Sequence, residues 1–267
     1  MRRRGTLFFL LSRRLTSGAD AEVALTLCAG WPSDAPEGSK RLTFIRHAEG
    51  QHNKDSRELA NYYPEKLGET MTYWDAQLTA LGREQSYTLA TKLQWRQRSG
   101  LPQLVAVSPL TRTLETASIA FPNETVHGWR PPFVATSLAR ERIDVHTCDG
   151  RRPRSVLEEE YPHVDFSEIA SEEDEMWAHK ENDPSPLESL ACMARGRSLL
   201  RWLWQRPEQD IAIVTHWVFL SHLFRQFPLG ELQKNFGNAE MRMVTLLPAD
   251  AGEADAGSAA RREHDEL

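Results

Sequence analysis

Three short apolar runs, each giving way at once to polar residues and then to a helical pattern, constrain the fold of this chain more than any other feature. They are Leu42-Thr43-Phe44-Ile45 before Arg46-His47, Leu104-Val105-Ala106-Val107 before Ser108-Pro109, and Ile211-Ala212-Ile213-Val214 before Thr215-His216. Runs this short and this apolar read as strands buried on both faces, and a helix after each one makes them parallel members of an α/β sheet. Helices are expected over 79–96, 110–121, 188–206 and 217–226; the first opens with Thr79-Ala80-Leu81-Gly82, in which Thr79 can cap. Segments 133–138 and 241–247 read as further strands of a mixed sheet. The stretch 142–187, rich in Arg, Glu, Asp and Pro, reads as a long insertion with a short helix near 155–161, and such excursions commonly form lids or binding loops. No internal repeat interrupts this pattern.

The two ends read differently. Residues 1–40 are expected to lie outside the domain as a targeting or disordered segment: five arginines flank the short apolar stretch Leu7 to Leu11, which is too short to span a membrane. The domain then runs over 41–248. Residues 249–267 form a tail of small and charged residues ending His264-Asp265-Glu266-Leu267, the pattern of an ER-retention signal. Cytoplasmic is the default location; an ER lumenal one follows if the N-terminus is a signal peptide, as the sequon Asn123-Glu124-Thr125 would fit, and an organellar presequence is the third option. A net charge of -6 gives no reason to expect nucleic acid or a membrane as partner, so an anionic ligand needs a local cluster of cations. Three cysteines without a CxxC spacing suggest neither a disulfide framework nor a structural zinc site.

Such a cluster is available. The strand ends deliver Arg46-His47, the segment from Ser108 to Arg112, and Thr215-His216, and ligands of open α/β sheets bind at the carboxyl ends of strands. Taken singly, each residue has an ordinary structural reading. Together, cations repeated where helices begin call for a negative partner, because a helix N-terminus by itself disfavours positive charge.

With these residues in view, the chain resembles the histidine phosphatase (phosphoglycerate-mutase-like) superfamily. The signature is Arg46-His47-Ala48-Glu49, followed in order by Leu78 to Gly82 with Gln85, Ser108-Pro109-Leu110 with Arg112 and Thr116-Ala117, and Thr215-His216. A eukaryotic mutase-like branch is resembled more closely in three stretches: Arg46 to Asn53, Arg140-Glu141-Arg142 through Arg151-Arg152, and Phe236 to Arg242. The resemblance implies a three-layer α/β/α sandwich around a mostly parallel mixed sheet. It also implies a phosphatase that needs no cofactor or metal, in which His47 attacks phosphorus, Arg46, Arg112 and His216 bind the phosphoryl oxygens, and Glu141 protonates the leaving alcohol. The substrate it implies is a small phosphorylated metabolite.

Physical chemistry agrees with this division of roles. Two guanidiniums disfavour the protonated form of a neighbouring imidazole, and an arginine fork suits phosphoryl oxygens. Asn53 resembles the family's phosphate-side asparagine, although a capping or turn role fits it nearly as well. Arg151 and Arg152 could bind a second negative group of the substrate, or form a solvated run balancing Glu158 to Glu160. His52 and His146 read as structural or exposed. Trp217 and Gly50 depart from the family pattern; the first suggests a bulkier pocket wall, and the wider departure argues against a glycolytic mutase. The competing readings are a phosphoglycerate-type mutase, a pseudo-enzyme that binds a phosphorylated ligand, and a binuclear metal hydrolase using His47, His52, His216 and His222, whose spacings match no metal motif.

Overall fold

The computed structural model describes residues 25–32, 35–96, 102–122, 130–179, 190–227, 229–230 and 232–248. The arginine-rich beginning, the sequon at Asn123 and the tail ending His264-Asp265-Glu266-Leu267 lie outside these residues.

Seven strands form one sheet: β1 (Leu25–Ala29), β2 (Lys40–Arg46), β3 (Leu104–Val107), β4 (Phe133–Ala135), β5 (Val164–Asp165), β6 (Asp210–Thr215) and β7 (Met241–Pro248), in the order β1-β7-β2-β6-β3-β4-β5. From β2 to β5 every pairing is parallel, while β7 runs antiparallel to both β2 and β1. Successive side chains of the central strands enter different cores. Leu42, Phe44, Leu104, Ala106, Ile211 and Ile213 join one cluster, and Ile45, Val105, Val107, Ala212 and Val214 join the other. Burial on both faces explains why these strands read as unbroken apolar runs.

The helices are α1 (Gln51–Glu58), α2 (Ala80–Arg96), α3 (Thr111–Ala120), α4 (Arg154–Glu160), α5 (Glu175–Ala178), α6 (Leu190–Gln205) and α7 (Trp217–Phe224). Leu199, Leu200 and Leu203 of α6 and Phe219, Leu220 and Leu223 of α7 cover the first face. Leu89 of α2, Leu114 and Ala117 of α3 and Leu157 of α4 cover the second, completing the three layers.

Two expectations change. β1 lies within 1–40, yet it pairs along its length with β7, and Leu25 and Leu27 enter the core, so the sheet begins ahead of the boundary at residue 41. Segment 133–138 is strand only to Ala135, because the chain turns into a 3-10 turn over Ser137–Ala139 that carries it toward Glu141.

Candidate active site

The carboxyl end of β2 passes into a loop that is held from three sides. From α3, the Thr116 hydroxyl accepts from the Ala48 amide at 3.0 Å; from α2, Gln85 accepts from the Glu49 amide at 2.9 Å. Thr79 caps α2 by accepting from Gly82 N and donates to the buried Glu49 carboxylate at 2.6 Å. A Cβ at Gly82 would collide with the Glu49 carbonyl, so this close approach of helix and loop requires glycine. On the third side, Ala239 N and Asn238 Nδ2 donate to the His47 carbonyl at 3.2 and 3.3 Å, and Arg46 Nη1 donates to Phe236 O at 2.6 Å. The sequence motifs around Leu78 to Gln85, Thr116 and Phe236 to Arg242 are thus the clamps of one loop.

That loop carries His47, which is buried. Its Nδ1 lies 2.7 Å from the Ala48 carbonyl, which can only accept, so Nδ1 holds the proton and the lone pair falls on Nε2. Arg112 Nε stands 3.3 Å from that nitrogen. Burial first, then the charges of Arg112 and Arg46, hold the His47 pKa well below 6.5. Nucleophilic attack needs an uncharged imidazole, and the Nε2 lone pair that would attack accepts a hydrogen bond from Arg112 Nε here.

Arg112 occupies the first turn of α3 and is itself buried, its Nη2 paired with Asp149 at 2.8 Å and its Nη1 bonded to the Cys148 carbonyl. Gly150, next in the chain, packs under the Trp74 ring, and a Cβ there would collide with it. Asp75 fixes the start of α3, accepting from Thr111 N at 2.8 Å and Thr111 Oγ1 at 2.6 Å. Arg46 lies across the cavity with its guanidinium 5.8 Å from the Trp217 ring, and burial lowers its pKa to about 10. The His216 ring centroid is 5.1 Å from that of His47; Nε2 of His216 meets Ser108 Oγ at 2.7 Å, and its buried Nδ1 has no hydrogen-bond partner among the described residues.

Glu141 reaches the same cavity from the turn after β4. Its carboxylate accepts from Phe219 N at 2.6 Å and Val218 N at 3.1 Å in the first turn of α7, and from Arg142 N at 2.8 Å. Burial first, then the nearby charge of Asp149, raises its pKa above the usual 4.5. A carboxyl so placed can keep a proton to give.

Four of the residues expected to converge, Arg46, His47, Arg112 and Glu141, line one cavity of about 480 Å³, whereas His216 is fully buried behind His47 and is not among the lining residues. Asn53 lines it too, but its Oδ1 accepts from Gly50 N at 3.1 Å, the capping role, and from Asn238 at 3.4 Å. Arg151 and Arg152 do not reach the cavity. Arg151 is buried and donates to the carbonyls of Arg152, Ser171, Glu172 and Glu173, while Arg152 pairs with Asp75 and Glu160 and donates to Thr111. Both serve to fasten the insertion, which removes them from the expected substrate contacts. Conversely His52 and His146, read from the sequence as structural or exposed, line the cavity, as does Arg142. The available signal for His52 was its place in the first helical turn after the nucleophile. Among the described residues, no group of three or more His, Cys, Asp or Glu side chains is placed to hold a metal ion.

The arginines of this cavity lie where parallel strands end, the place at which open α/β sheets commonly take their ligands. The profile of the histidine phosphatase superfamily (branch 1) matches residues 42–248, and the chain belongs to that superfamily. Its relatives include phosphoglycerate mutase-like protein 1 of Arabidopsis thaliana, 34% identical over 238 residues that span 78% of this chain and 81% of the relative. A second phosphoglycerate mutase-like protein of the same plant is 32% identical over 239 residues, spanning 78% and 84%. Among solved structures, a putative alpha-ribazole-5'-P phosphatase from Escherichia coli is similar at 20% identity and a TM-score of 0.46, over 77% of this chain and 90% of that one. A likeness of that order carries nothing about the reaction.

Proposed function

We propose that the chain is a phosphatase that hydrolyses a phosphomonoester of a small metabolite through a phosphohistidine on Nε2 of His47, using fixed protein cations in place of a metal. The observation that carries this reading is the tautomer of His47: Nδ1–H donates to the Ala48 carbonyl, which leaves the lone pair on Nε2, 3.3 Å from Arg112 Nε. Nε2 attacks phosphorus as the bond to the ester oxygen breaks, and Glu141 gives its proton to that oxygen. Water then attacks the phosphohistidine, its proton returns to Glu141, and inorganic phosphate leaves. Arg46, Arg112 and His216 bind the phosphoryl oxygens, whose charge spreads in the transition state. Asn53 adds a contact through its amide nitrogen. A cavity of about 480 Å³ favours a small molecule over a folded partner.

The test is an acid-labile, base-stable phosphoryl label on His47 formed from a panel of sugar phosphates, phosphoglycerates and nucleotides, with release of inorganic phosphate. Phosphate release without a bisphosphate primer separates hydrolysis from a mutase reaction. Failure of any panel member to label the wild-type protein would leave the pseudo-enzyme reading in its place.

A further inference from the structure

His52 stands in the first turn of α1 with its ring inside the catalytic cavity, the centroid 5.9 Å from that of His47. The ring is folded back over Gly50: a Cβ on that residue would sit 2.8 Å from Cε1 and 2.9 Å from Nδ1 of His52. The backbone of Gly50 is ordinary, with φ -88° and ψ 162°, so no conformational demand explains glycine there. An N-cap position usually favours Ser, Thr, Asp or Asn, and here that side-chain cap is absent. What the glycine supplies is space for the imidazole.

One of its nitrogens has nothing to bond. Nδ1 is buried without a hydrogen-bond partner, while the ring itself is only half-buried and lines the cavity. A buried, unsatisfied ring nitrogen is costly and asks for a reason. Packing supplies none, since an aromatic hydrocarbon would fill the space without that cost. Burial and then the charges of Arg112 and Arg46 keep the ring neutral, with one N–H donor and one lone pair. Shut in over Gly50, Nδ1 is the side for the lone pair, so the N–H falls on Nε2, where an acceptor entering the cavity can meet it. We infer that His52 is a further catalytic residue, donating its N–H to the phosphoryl group bound at His47, and that Gly50 is the specificity-setting companion that lets the ring reach it. This rests on the phosphatase reading above.

The experiment measures inorganic phosphate binding to the full chain by titration calorimetry, with thermal melting alongside. His52→Phe keeps the ring and loses the donor; binding should weaken about ten- to a hundred-fold, the worth of one hydrogen bond to a charged group, with no loss of melting temperature. His52→Gln, which keeps an N–H, should recover most of the affinity. Gly50→Ala, which displaces the ring, should weaken phosphate as His52→Phe does, and it decides the matter if His52→Phe fails to fold. Unchanged phosphate binding in His52→Phe or Gly50→Ala, or His52→Gln no better than His52→Phe, overturns the inference. If wild type is labelled at His47 while these variants bind phosphate normally, only the role of His52 falls; a wild type that neither binds phosphate nor takes the label removes the phosphatase reading as well.

Discussion

The cavity floor and the insertion both collect arginines, and they use them in opposite ways. Arg46 and Arg112 of the floor sit where strands end, with Arg46 Nε lacking any partner among the described residues and Arg112 Nε turned to His47. Arg151 and Arg152 of the insertion are tied to four carbonyl oxygens, two carboxylates and a hydroxyl. The same side chain is thus held toward the cavity or spent as a rivet for the loop, according to what lies within reach of its five N–H groups. Basic composition alone does not separate the two.

Substitutions in the floor should break turnover, with a loss of stability only where a buried ion pair goes too, as Arg112 with Asp149, and the insertion should lose stability and keep turnover. His47→Ala has the largest expected effect: no phosphate release and no phosphoryl label, with the melting temperature preserved. Arg112→Met follows, with a loss of about 10²–10³ in kcat/KM as one donor to the developing charge disappears; a drop under tenfold would mean that Asp149 neutralises it during the reaction.

Glu141→Gln sharpens the floor further. It should slow alkyl phosphates by about 10²–10⁴ and nitrophenyl phosphate little, because only the poorer leaving group needs the proton. Its pH profile carries the same sign. His47 must be unprotonated, and its pKa lies well below 6.5, so little activity is lost on going down from pH 7 to 6. Glu141 must be protonated, so kcat/KM for an alkyl phosphate falls as pH rises through its raised pKa. In Glu141→Gln that alkaline limb should disappear, and the ratio of wild type to variant cancels the titration of the substrate itself.

The smallest effect on catalysis belongs to the insertion. Arg152→Met should leave kcat/KM nearly unchanged while destabilising the protein by about 1–3 kcal/mol in urea unfolding, since the buried Asp75 loses a charged donor. A large rise in KM with unaltered stability would return Arg152 to the substrate.

Much of the floor was legible because its residues follow strands whose both faces are buried, and such strands announce themselves as apolar runs. The helices over Ala80–Arg96, Thr111–Ala120 and Trp217–Phe224 were legible from periodicity and from Thr79 as a cap. α1 was not: none of its residues is buried, so QHNKDSRE carries no apolar stripe, and its start depends on Gly50 and Asn53 instead. β1 escaped because its partner β7 lies more than 200 residues away along the chain, and a pairing at that separation leaves no local trace. The fate of Arg151 depended on the carbonyls of Ser171, Glu172 and Glu173, some twenty residues further on, which spacing does not encode.

One helical turn holds two of the chemical groups at once. His216 is the residue that starts α7, and the amides two and three places further on clasp both oxygens of Glu141. The carboxyl proposed as proton donor and the imidazole proposed as phosphoryl ligand therefore share a single frame of reference, so a shift of that one turn would move both and leave the span between them much as it was.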